Sequence, residues 1–215
     1  MRKQYLLSVL IMALCIGGIL SGCGKKDANF ITYQNEQSGY TLEVPDTFVN
    51  QNQLEEKNQV LFVSENPPAS LNIMMEVGGY NYYTPQELAE EMMNRLTADF
   101  TEKKEVNTQR IAKGTYDIRI VYSGKNAAGD DVTLDLVILE PISGVHYYLL
   151  LTVPSKGYGD WDKDWQTMFR SFKVTKTEDE IYQVLRPNEE EKTESDGQPD
   201  GGQAEETEQN PDINS

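Results

Sequence analysis

The sequence predicts an α+β fold in which an antiparallel β-sheet is flanked by helices. Two observations carry this. Three long strand-like runs, Tyr116–Ser123, Val132–Leu139 and Val145–Val153, are joined by connections too short for a helical crossover, so they form an antiparallel meander. Two amphipathic segments, one before and one after the meander, have the four-residue periodicity of helices, and helices around such a sheet give a layered α+β domain.

The elements follow in order. Phe30–Gln34 and Tyr40–Val44 flank Asn35–Gly39 and predict a hairpin with a longer loop, closed by Pro45-Asp46. Val60–Ser64 and Leu71–Val77 come next, parted by Asn66-Pro67-Pro68. Leu71, Ile73, Met75 and Val77 alternate with Asn72, Met74 and Glu76, as in a half-buried strand. Thr84, Pro85 and Glu87 mark a helix start with a capping box, and Leu88, Met92, Leu96 and Phe100 give its apolar stripe. Val106–Ala112 adds a further strand. Trp161–Phe172 reads as a second helix, with Trp165, Met168, Phe169 and Phe172 on one face. Residues 30–174 suit one domain. Residues 175–186 hold a short helix, with Thr177 and Glu180 as its capping box. From Pro187 onward, residues 187–215 offer almost nothing to bury and are expected to be a disordered acidic tail.

The N-terminus carries an address. Arg2-Lys3 precedes an uncharged apolar run, Tyr5–Leu20, and then Ser21-Gly22-Cys23. As a helix the run spans about 24 Å, short of the roughly 30 Å hydrocarbon core, which marks a removed signal peptide rather than a membrane span. Leu20-Ser21-Gly22-Cys23 resembles the lipobox of bacterial lipoproteins. That resemblance implies cleavage after residue 22 and a diacylglycerol on the Cys23 thiol. Two or more acyl chains hold a protein stably on a membrane where one does not. Residues 23–29 would then be a lipid-anchored linker, in which Gly24–Asn29 reaches at most about 20 Å. Lys25 and Lys26 would lie at headgroup level. The expected location is the extracytoplasmic face of the cell membrane, and Gly24 after the lipid site is compatible with the outer membrane of a two-membrane host.

Charge and cysteine usage narrow the function classes. The formal charge is −16, and loss of Arg2 and Lys3 with the signal leaves 17 basic against 35 acidic residues. This balance argues against nucleic acid, which requires a basic face. Cys15 leaves with the signal and Cys23 is used by lipid. The mature domain therefore has no thiol for redox chemistry, nucleophilic attack or zinc ligation.

The opening Tyr33…Gly39-Tyr40-Thr41-Leu42-Glu43-Val44-Pro45 resembles the start of PsbP-like domains. Thr84-Pro85-Gln86-Glu87-Leu88-Ala89 resembles their mid-domain helix. Tyr147-Tyr148-Leu149-Leu150-Leu151-Thr152-Val153-Pro154, then a helix and Ser171-Phe172-Lys173, resembles their closing strand, helix and signature. The resemblance implies a PsbP-like α/β/α sandwich, a fold found in the photosystem subunit PsbP, in bacterial lipoproteins and in an import factor that binds the Ran GTPase. Its common theme is docking to proteins.

Candidate chemistry is sparse. His146 is the single histidine, set opposite in phase to Val145, Tyr147 and Leu149, and reads as a structural or surface residue. Asp160, Asp162 and Asp164 begin like a calcium loop, but Trp165 and Ser171 stand where that loop needs Gly and Glu, so they read as a helix cap and first-turn acids. No catalytic set, cofactor motif or metal site is indicated. The binding candidates are aromatic: Tyr80, Tyr82 and Tyr83 in the Gly78–Tyr83 loop, and Tyr158 and Trp161 around the Gly157–Asp160 loop. The expected function is a non-enzymatic, lipid-anchored binding or assembly accessory with an envelope protein partner; the alternative is a lipoprotein that binds a small molecule or glycan.

Overall fold

The computed structural model describes residues 28–51, 58–78, 83–111 and 117–185. The signal segment, Cys23, Tyr80, Tyr82 and the acidic tail lie outside the described residues.

The long strands build a seven-stranded antiparallel sheet. Its members are β3 (Val49–Asn50), β4 (Gln59–Glu65), β5 (Pro68–Val77), β6 (Thr101–Arg110), β7 (Ile118–Lys125), β8 (Asp131–Ile142) and β9 (Val145–Pro154), in the order β3-β4-β5-β9-β8-β7-β6. The expected meander is its centre: Leu136 stands opposite Leu150 and Ile120 opposite Leu136. β4 and β5 join through a tight turn that holds a cis Asn66–Pro67 bond. β6 is longer than the sequence indicated, and its pairing with β7 is broken twice, between Thr101 and Lys104 and between Glu105 and Asn107. Glu102 there takes a φ of 56°, in the left-handed region.

The hairpin of β1 (Phe30–Asn35) and β2 (Tyr40–Pro45) forms as expected but does not join this sheet. It makes a separate three-stranded sheet with β10 (Lys173–Val174), in the order β1-β2-β10. Gly39 closes the hairpin turn with a φ of +65°, which favours a residue without a Cβ.

Each face of the large sheet has its own core, because side chains alternate across a strand. On one face Ile120, Leu134, Leu136, Ile138, Tyr148 and Leu150 meet helix α1 (Pro85–Leu96) through Leu88, Ala89, Met92, Met93 and Leu96. The cap of α1 is the expected one: Glu87 N–H donates to Thr84 Oγ1 at 3.2 Å, and Thr84 N–H donates back to Glu87 Oε2 at 2.8 Å. On the other face Ile73, Met75, Val137, Tyr147, Leu149, Leu151 and Val153 meet helix α2 (Tyr158–Ser171) and the small sheet. Tyr40, Tyr147 and Phe172 form an aromatic knot there, with ring centroids 4.9–5.9 Å apart.

Helix α3 (Glu178–Leu185) carries the expected capping box, with Thr177 N–H donating to Glu180 Oε2 at 2.8 Å. It belongs to the same core: Ile181 is fully buried in the α2-side cluster, and Tyr182 donates to Ser143 O at 3.3 Å. Ile181→Ala is therefore expected to cost about 2–5 kcal/mol of folding stability, read from urea unfolding followed by tryptophan fluorescence.

Candidate functional site

Helix α2 starts earlier than the sequence indicated. Tyr158 is already helical and Gly157 is the N-cap, without a side-chain cap bond. Asp160 is therefore a first-turn residue, not the cap. This corrects the expectation of an aromatic loop at 157–160, because both aromatics sit on the first turns of the helix. Trp161 is 1% exposed and packs against Phe48 at 5.3 Å between centroids. It fills the core and presents no surface to a partner.

Tyr158 takes part in a buried polar network that the sequence did not reveal. Arg119 on β7 is 5% exposed and Asp135 on β8 is fully buried. They stand diagonally across adjacent strands, since Val121 is the register partner of Asp135. Arg119 Nε donates to Asp135 Oδ1 at 2.9 Å, and Nη2 donates to Oδ2 at 2.6 Å. The same Nη2 donates to Tyr158 Oη at 3.1 Å and to Asp162 Oδ1 at 3.0 Å, and Tyr158 Oη donates to Asp135 Oδ2 at 2.7 Å. The Phe169 ring lies 5.7 Å from the guanidinium. Burial works to lower the Arg119 pKa, but the bonds and charge of Asp135, with Asp162, hold it above its ordinary value. Burial and the Asp135 charge push the Tyr158 hydroxyl up, so it stays protonated and able to donate. The network clamps α2 to the sheet. Asp162, read from sequence as a helix-terminus acid, is one of its members.

The other polar cluster lies on the opposite face and at the other end of β9. His146 is 1% exposed, in the phase expected from its strand. Its neighbours are Glu76, the register partner on β5, and Glu140, whose Oε1 is 3.9 Å from His146 Nε2 and accepts from Gly144 N–H at 2.7 Å. The Tyr148 ring lies beside it at 6.3 Å. Burial lowers the His146 pKa below its ordinary 6.5, opposed by Glu140 and Glu76. A neutral imidazole closed off from solvent is a structural element, not a proton shuttle open to substrate. Among the described residues no group of three or more His, Cys, Asp or Glu could hold a metal ion.

The segment between β5 and α1 leaves the sheet beside this cluster, where Gly78 N–H donates to Gly144 O at 2.8 Å. Tyr83, next to the cap residue Thr84, is 41% exposed. Tyr158 follows the far end of β9, about 30 Å of strand away, and packs on the other face. The structure therefore does not bring Tyr83 together with Tyr158 and Trp161. Of the described candidates, Tyr83 alone is exposed.

Three outcomes follow. Trp161→Ala is expected to lose about 3–5 kcal/mol of stability in denaturant unfolding, the cost of emptying a core site. Arg119→Met is expected to cost about 3–5 kcal/mol by leaving Asp135 buried without its partner, while Arg119→Met with Asp135→Leu recovers most of that loss. For His146 the unfolded chain takes up a proton first as pH falls past about 6.5, since the native pKa is lower. Stability is thus full above that pH and declines below it, by at most about 1.4 kcal/mol per pH unit, until the native imidazole also titrates. Unfolding at pH 7.5 down to 5.5 checks this, with His146→Gln flattening the decline.

No family model and no curated protein matches the chain. Solved structures do. The Ran-binding protein Mog1p of Saccharomyces cerevisiae superposes with a TM-score of 0.55 at 14% identity, covering 69% of this chain and 97% of that one. A mutant of Mog1 superposes equally at 15% identity, over 69% of this chain and 97% of its own. Cyanobacterial PsbP from Synechocystis gives 0.49 at 12% identity, over 74% and 99%. The α+β architecture expected from the sequence, an antiparallel sheet flanked by helices, is the fold this chain shares with Mog1.

Proposed function

We propose that the protein is a lipid-anchored, extracytoplasmic accessory that binds or helps to assemble a protein complex of the bacterial envelope, without catalysis of its own. The observation that carries this reading is the exposed Tyr83 at the entrance to a firmly capped helix, in a segment whose sequence adds Tyr80 and Tyr82. Tyrosine offers a large contact area and a hydroxyl at low entropic cost, which suits protein docking. The lipobox residues ending at Cys23 support the anchor. The shared fold supports the docking role, since Mog1 is described as a Ran-binding protein. The residues best equipped for chemistry are otherwise occupied: Arg119, Asp135 and Tyr158 clamp a helix, and His146 is enclosed.

Replacing Cys23 with Ser is expected to move the protein from the membrane pellet to the soluble extracytoplasmic fraction. Retention in the pellet would contradict the anchor. Mild crosslinking in intact cells and purification of the lipidated chain should recover a specific membrane or envelope protein. Combined replacement of Tyr80, Tyr82 and Tyr83 by Ala should lose it, with unfolding midpoints unchanged. Recovery of the same partner by that variant would remove the tyrosine segment from the interface.

A further inference from the structure

The lipid anchor is joined to one particular end of the fold. Asn29, the last residue of the linker, is held to the domain by two bonds to the same residue: Asp46 N–H donates to Asn29 O at 2.8 Å, and Asn29 Nδ2 donates to Asp46 Oδ2 at 3.4 Å. With Gly24–Asn29 reaching at most about 20 Å, this Asn29–Asp46 clasp cannot lie far from a membrane that holds Cys23.

Four large apolar side chains are exposed among the described residues, Ile31, Val49, Tyr83 and Val106. Two of them flank the clasp. Ile31 is two residues from Asn29, and Val49 is three residues from Asp46, so both Cα atoms lie within about 11 Å of the clasp along the chain. Ile31 is 52% and Val49 61% exposed, on β1 and β3, each an edge strand of its sheet. The chain leaves β5 toward Tyr83 at the other end. Val49 is in register with Val63, Val63 with Ser70, and Ser70 with Thr152, whereas Gly78 is bonded to Gly144, just before β9 begins. Seven residues of β9 separate Thr152 from Val145, about 23 Å of strand.

We propose that Ile31 and Val49 form a bilayer-contact surface, so that the clasp end rests in the headgroup layer and the Tyr83 end faces away from the membrane. This rests on the membrane-anchoring reading above. Aliphatic side chains are favoured at the boundary of headgroups and acyl chains. Lys25 and Lys26 of the linker lie next to this end in sequence and balance the carboxylates of Asp27 and Asp46, so the tether and clasp together carry no net charge to be repelled by anionic headgroups. The consequence is a fixed orientation: the partner of the tyrosine segment approaches from the aqueous side.

The sequence makes a direct test practicable, because the mature chain has no cysteine apart from Cys23. Single cysteines at Val49→Cys, Ile31→Cys and the exposed Ser143→Cys of the opposite end are introduced into the full lipidated chain and labelled with an environment-sensitive nitrobenzoxadiazole dye. The protein is reconstituted into phosphatidylethanolamine–phosphatidylglycerol vesicles with and without nitroxide-bearing lipid. The expected result is flotation with the vesicles, blue-shifted emission at positions 49 and 31, and several-fold stronger nitroxide quenching there than at 143. Flotation with equally water-like, unquenched labels at all three positions would overturn the inference while leaving the anchor intact. Failure to float would overturn both. A shift at position 49 that grows with protein concentration in the absence of vesicles would assign this surface to a second copy of the chain instead.

Discussion

The structure depends on one buried ion pair, Arg119 with Asp135. Both side chains point from the meander toward α2, into a layer filled mostly by aromatic and aliphatic groups. A charge in that setting is tolerable only when its partner meets it with good geometry and its remaining hydrogen-bonding groups are used. Here the guanidinium meets the carboxylate in fork geometry, and Tyr158 and Asp162 take the outward-facing donor. The pair joins β7 to β8, and its outer bonds fix the first two turns of α2. That placement in turn sets Trp161 against Phe48 and lets Ser171 Oγ, at the other end of the helix, accept from Glu43 N–H at 2.8 Å. The small sheet is thereby held to the large one through a helix that lacks a side-chain N-cap of its own.

The two faces of the sheet divide the labour. The α1 face is closed by methionine, leucine and alanine, side chains that adapt to an irregular surface. The α2 face is closed by rings and by the ion-pair network, which demand particular geometry. The exposed tyrosine belongs to the α1 face, next to a helix whose first turn is held by reciprocal capping bonds. A rigid helix start of this kind fixes the backbone of the residue before it, which lowers the ordering cost of any contact made there.

Much of this was legible in the chain. Alternation placed β5, connections too short for a helical crossover placed the meander, and His146 lay in the phase its strand dictates. The Thr84–Glu87 and Thr177–Glu180 spacings marked two helix starts because the signal is local and chemical. What could not be read depended on distant partners. β10 consists of Lys173 and Val174 alone and exists because Thr41 and Tyr40 pair with them. Arg119 and Asp135 sat inside runs that otherwise looked apolar, and nothing in either run announces that one answers the other. Tyr158 and Trp161 followed Gly157, so they resembled loop aromatics, whereas their environment is set by residues on β7, β8 and near β3. The spacing of Asp160, Asp162 and Asp164 hinted at a shared ligand, yet along a helix alternate residues diverge: Asp162 reaches Arg119, Asp164 is buried and Asp160 faces solvent.

The irregular outer strand β6 has a broader consequence. Unpaired strand edges are the usual route by which encounters between copies of a chain become permanent. β6 answers this with two pairing breaks, a left-handed Glu102 and exposed charges at Lys103, Lys104 and Glu105, so a neighbouring copy finds no straight, neutral backbone to extend. Crowded copies can therefore stand side by side and remain individually folded.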